Sequence, residues 1–192
     1  RPRLPHVRAT FMDYGRNDYM WFHDHDTIAY DKLHIENSEA LYLYRDPVDT
    51  VFSYLVYEFN NGKSLKTNQH ALEGLVSAAA THYKNHLIKW LITAPAKTVV
   101  KNERFKSDPE AEFSLICDHF GVPFDSERAK QCFDIVTPRA LSERKTEENT
   151  LSDFMLTEEY KQERGWFRDT YGELINNIVI SEKLQEWFDE NL

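Results

Sequence analysis

The chain has 192 residues, 41% of them hydrophobic and 14% aromatic, and a formal net charge of −9. That is enough apolar material for one sizeable core in a single domain over residues 1–192, with the composition of a cytosol-like, cytoplasmic globular protein. The acidic balance argues against a nucleic-acid partner held by bulk electrostatics. No apolar run approaches the ~20 residues of a membrane helix, and no secretory signal is visible.

The first chemical cluster is Met20-Trp21-Phe22-His23-Asp24-His25-Asp26. Its lead-in is strand-like, so alternation puts His23 and His25 on one face and the two aspartates on the other. Two histidines at this spacing are a possible metal pair, although no third ligand with matching context is visible. They also suit solvent-exposed residues at a strand end, or an acid–base group working near neutrality.

Leu41-Tyr-Leu-Tyr44 then reads as a short buried strand, closed by Arg45. Asp46-Pro47 supplies an N-cap and a proline at the first helical position. Val48, Val51, Phe52, Leu55 and Phe59 recur at helical spacing as a core-facing stripe. Ser53 lies off that stripe in the second turn, so Arg45 and Ser53 can converge on one anion, a guanidinium fork plus a hydroxyl. Asn61-Gly62-Lys63-Ser64 mimics the tail of a phosphate-binding glycine loop, but it follows a helix and reads as a polar helix-terminating loop.

A second helix carries the stripe Leu72, Leu75, Val76, Ala79, Tyr83, Leu87 and ends in His86-x-x-x-Trp90. Thr98–Asn102 reads as a strand. Asp108-Pro109 opens a helix with Phe113, Ile116 and Phe120 on one side and Gly121 as its C-cap. Cys117, on that helix, and Cys132 lack a CxxC spacing and read as buried structural thiols. Ser142–Asn149 is the candidate mobile surface loop. Lys161-Gln-Glu-Arg164-Gly165-Trp166-Phe-Arg168 reads as a basic loop, and Ser181–Phe188 as a terminal helix packing Leu184, Trp187 and Phe188.

The block from Leu41 to Tyr57 resembles the segment of sulfotransferases that holds the 3′-phosphate of 3′-phosphoadenosine 5′-phosphosulfate (PAPS). Those proteins carry a strand ending in Arg, then Asn or Asp, and a Ser eight positions after the Arg; Arg45 and Ser53 match. The order of elements from residue 15 to 125 is similar too, with Asn102-Glu103-Arg104-Phe105 where the family has Tyr-Glu-x-Leu/Met. Asn102 replaces the tyrosine that contacts adenine in relatives.

The resemblance implies an α/β fold, a parallel sheet flanked by helices, of the P-loop nucleotide-fold type. It implies transfer of a sulfuryl group from PAPS to an acceptor hydroxyl, releasing adenosine 3′,5′-bisphosphate, with no metal required. By the same resemblance Arg45 and Ser53 hold the 3′-phosphate. Lys161 and Arg164 belong to a basic loop over the nucleotide, and Trp166 is a packing anchor. The family's general-base histidine sits about twenty residues before the Arg, where His23 aligns, with His25 the close second. The acceptor, small molecule or glycan, is not legible.

The family's 5′-phosphosulfate loop, Lys-x-Gly-Thr/Ser-Thr/Ser, is not seen; none of the six glycines has that setting. The loop is expected before Arg1, so the resemblance implies a chain that is N-terminally incomplete. The alternatives are a non-catalytic nucleotide-binding relative that lost the loop, and a His/Asp metal-dependent hydrolase centred on residues 23–26.

Overall fold

The computed structural model describes residues 8–9, 22–23, 39–60, 63–93, 96–136 and 157–191. Strands β1 (Arg8–Ala9) and β2 (Phe22–His23) pair antiparallel, Arg8 opposite His23. Strands β3 (Glu39–Tyr44) and β4 (Ala96–Lys101) pair parallel, with Tyr42 opposite Val99 and Tyr44 opposite Lys101. Parallel neighbours need a crossover, and the described part of this one contains two α-helices. They are α1 (Pro47–Leu55) and α2 (Leu72–Leu87). Beyond β4 come α3 (Arg104–Ser107), α4 (Pro109–His119), α5 (Ser126–Val136), α6 (Glu158–Val179) and α7 (Glu182–Asn191). The described part is helix-rich with a small parallel sheet, an arrangement compatible with α/β.

Helix α1 starts as its sequence dictates. The Asp46 side chain accepts the Asp49 N–H at 3.0 Å, and Pro47 occupies the first turn, where its missing N–H costs nothing. Val48, Val51, Phe52 and Leu55 are buried, but Phe59 is 50% exposed. The cause is a π-helical turn over Val56–Asn60, which widens the helix and rotates the stripe so that Val56 takes the buried place. The expected buried strand is likewise buried on one face only: Tyr42 is inside, and Leu43 is 52% exposed.

Helices α1, α2 and α6 pack on one another, and the core lies among them. Phe52 touches both Tyr160 and Phe167 with ring centroids 5.2 Å apart, and Leu72, Val76, Ala80 and Leu87 close the α2 side. Burying a side chain such as Phe52 contributes about 1.5–3 kcal/mol. Ser64 caps a 3-10 turn, Leu65–Ala71, that leads into α2, so this segment opens a helix as well as following one. Leu184 on α7 is fully buried, with Trp187 and Phe188 packed against the core.

Helix α4 is more peripheral than its pattern suggests. Its fully buried residue is Glu112, while Phe113 and Ile116 are half-buried, Phe120 is exposed and Cys117 is a half-buried free thiol. Glu112 accepts the Lys101 N–H at 2.8 Å and pairs with Arg104 at 3.1 Å, which ties α4 to β4. Gly121 (φ 61°) ends α4: its N–H bonds to Asp118 and that of Val122 to Cys117, satisfying two terminal carbonyls. The segment 142–149 and the side chain of Cys132 lie outside the described residues.

Candidate anion site at the start of helix α1

Arg45 leaves the end of β3, and the next residue begins α1. Its side chain runs along the first two turns of the helix, where Nη1 donates to Ser53 Oγ at 3.0 Å. The two residues selected by their spacing therefore meet. Ser53 accepts from Arg45, which leaves its own proton available to an anion on the same side. The Arg45 side chain is 31% exposed and Ser53 is half-buried, so the pair lies within reach of solvent.

The surrounding charges come from α1 and α6. Asp49 is 6% exposed, and its carboxylate accepts from Arg164 Nε at 2.9 Å and from Arg168 Nη2 at 2.8 Å; Arg164 Nη2 also contacts its other oxygen. Arg168 Nη2 reaches Asp46 at 2.9 Å, and Arg45 Nη2 stands 4.0 Å from Asp49. Burial alone would push the Asp49 carboxyl up, but hydrogen bonds and charge from Arg164 and Arg168 outweigh it and hold the group below the usual carboxylate range. Asp49 in turn raises Arg168. Arg45 keeps its short contact with a neutral hydroxyl, and its carboxylate neighbour lies at 4.0 Å, so it is the guanidinium best placed to take an incoming anion.

The backbone around Arg45 is held as well. The Tyr83 hydroxyl donates to the Arg45 carbonyl at 2.8 Å, and the Asp46 N–H donates to Glu103 Oε1 at 2.9 Å. Asn102 N–H donates to the Tyr44 carbonyl at 2.9 Å, which places Asn102 beside the end of β3.

Of the other sequence-selected residues, Arg164 joins this cluster through Asp49 and Lys161 does not. Lys161 and Arg164 lie in a 22-residue helix, α6, and not in a loop. Thr157 caps it, Glu158 and Glu159 favour its first turn, and Tyr160, Phe167, Ile175 and Val179 give it a buried stripe that outweighs the cost of Gly165. Lys161 pairs with Glu158 at 2.5 Å on the exposed face. Trp166 packs against the core, with the Lys66 ammonium 5.3 Å from its ring. The backbone of His23 lies in β2; its side chain, and His25 entirely, lie outside the described residues. Sequence reasoning missed Asp49 and Arg168 as partners. Their signal was the pairing of Asp46/Asp49 with Arg164/Arg168, spacings that each share one helix face.

A model of the sulfotransferase domain matches residues 18–192. The chain belongs to the sulfotransferase family. No curated protein and no solved structure gives a significant match. The family's chemistry is sulfuryl transfer, which makes the chain a transferase by membership. Among the described residues no group of His, Cys, Asp or Glu could hold a metal ion, and no helix is long and apolar enough to cross a membrane.

Proposed function

We propose that this sulfotransferase domain, spanning the chain as one domain of the P-loop nucleotide-fold type, uses PAPS as its donor. The observation that carries the reading is the Arg45–Ser53 pair, 3.0 Å apart at a helix start, with Ser53 free to donate. Its chemistry suits the 3′-phosphate: a fixed fork of N–H groups, a hydroxyl, and the positive end of α1 close by. PAPS, when bound, supplies the sulfuryl group that passes to an acceptor hydroxyl, leaving adenosine 3′,5′-bisphosphate.

Arg45 and Ser53 hold the 3′-phosphate in this reading. Arg164, already beside Arg45 through their shared neighbour Asp49, is the cation from α6 that supports it, and Lys161, one turn earlier, joins it on leaving Glu158. His23, or His25 two residues on, takes the proton from the acceptor hydroxyl. Imidazole suits that step because its pKa lies near neutrality.

The test is isothermal titration of the protein with adenosine 3′,5′-bisphosphate and with adenosine 5′-phosphate. Clearly tighter binding of the bisphosphate is the expected result. Equal affinity for the two ligands contradicts the assignment of a 3′-phosphate site.

A further inference from the structure

The carbonyl held by Tyr83 and the N–H held by Glu103 belong to the same peptide unit, the one joining Arg45 to Asp46. We propose that Tyr83 and Glu103 are positioning residues that pin this peptide plane from both ends and so fix the turn from β3 into α1 that keeps Ser53 against the Arg45 guanidinium. The inference rests on the Arg45/Ser53 anion-site reading and extends it to residues that touch no ligand.

The peptide sits where the chain changes from strand to helix, between Tyr44 at the end of β3 and Pro47 in the first turn of α1. Neither ladder bonding nor the helix holds it there by itself. A rotation about the Cα–C bond of Arg45 would turn this peptide and swing α1, and Ser53 with it, away from the Arg45 guanidinium while leaving each element intact within itself. That rotation must break two bonds, one to α2 and one to the turn after β4, residues 38 and 57 positions away in sequence. Asp46 is fixed further by Thr50, whose N–H and hydroxyl both donate to its carbonyl at 2.9 Å.

Tyr83 is suited to the task. It is 9% exposed, and its hydroxyl has one proton, which goes to the Arg45 carbonyl. The His86 ring stacks beside it at 6.5 Å and 21°, which limits swinging of the phenol. Glu103 is exposed, but its bond is charge-assisted, and it directly precedes α3. A guanidinium and a hydroxyl already held together lose less freedom on meeting a phosphate, so the pins raise affinity without contacting the anion.

Binding of adenosine 3′,5′-bisphosphate to single and double variants tests this. Tyr83→Phe and Glu103→Ala should each weaken binding about three- to ten-fold, the usual scale for one lost hydrogen bond, and leave adenosine 5′-phosphate affinity unchanged. Glu103→Gln, which keeps an acceptor oxygen, should recover most of the loss. In an Arg45→Ala background both effects should vanish, because the pins act through the Arg45–Ser53 pair, which that variant lacks. Losses that persist undiminished without Arg45, or no loss in either variant while Arg45→Ala weakens binding, overturn the inference. If Arg45→Ala itself changes nothing, the anion-site reading is what fails. Should Tyr83→Phe not fold, the surface substitutions at Glu103 decide the matter alone.

Discussion

Arg164 on α6 and Asp49 on α1 lie 115 residues apart in sequence and are joined by two guanidinium–carboxylate contacts, with Arg168 adding a third to the same carboxylate. The cluster fastens the 22-residue helix α6 to the start of the helix that carries Ser53. Asp49→Asn should lower stability by about 2 kcal/mol, measured by urea unfolding. The value falls below that of a fully buried pair because the Arg164 and Arg168 side chains keep 38% and 45% of their surface exposed.

The same carboxylate sets a pH dependence. Its folded pKa is lowered, so its contribution is fully present above the unfolded carboxylate value, about 3.9, and is lost as pH falls through the folded value. Wild-type stability should therefore decline steeply below about pH 4, and Asp49→Asn should flatten that part of the curve. Parallel curves for the two proteins would show that Asp49 does not carry the titration.

Glu163 is buried on α6, and its Oε1 accepts from Ser64 Oγ at 2.8 Å and from the N–H groups of Leu65 and Lys66. It caps, from a distant element, the turn that leads into α2. Glu163→Ala should cost about 2–3 kcal/mol, because it leaves the buried Leu65 N–H without an acceptor, and Ser64→Ala about 1 kcal/mol. Thermal unfolding of both variants checks the ranking.

Gly121 takes a left-handed φ of 61°, and a Cβ there would meet nothing within 4 Å. The cost of Gly121→Ala is therefore backbone strain alone, about 1 kcal/mol, or a fall of about 2–4 °C in Tm. An unchanged Tm would mean that the α4 terminus relaxes freely.

For the histidines, His23→Ala should lower turnover about 10²–10⁴-fold with adenosine 3′,5′-bisphosphate affinity intact, and His25→Ala should be mild. Reversed effects move the base by two residues. Full activity in the double variant removes the cluster from the chemistry.

What the sequence made legible was local. Asp46-Pro47, Asp108-Pro109 and Gly121 mark helix ends because capping depends on neighbours within four residues. The Arg45–Ser53 pair was legible for the same reason, since a strand end and two helical turns set the distance between them. The π-helical turn at Val56–Asn60 was not, because packing selects it and no residue type announces it. Lys161 and Arg164 were misplaced on a loop because Gly165 and the surrounding charge hid a stripe interrupted by the buried Glu163. Tyr83 and Glu103 lay beyond any local pattern, as their role comes from two elements folding back on one peptide.

The most direct test of the anion site is titration of adenosine 3′,5′-bisphosphate into the wild type, Arg45→Ala and Ser53→Ala. A charge-assisted contact is worth about 1.5–3 kcal/mol, so Arg45→Ala should lose more than about ten-fold in affinity and Ser53→Ala less. Adenosine 5′-phosphate should bind weakly to all three. A folded Arg45→Ala protein that binds the bisphosphate as tightly as the wild type would contradict the account.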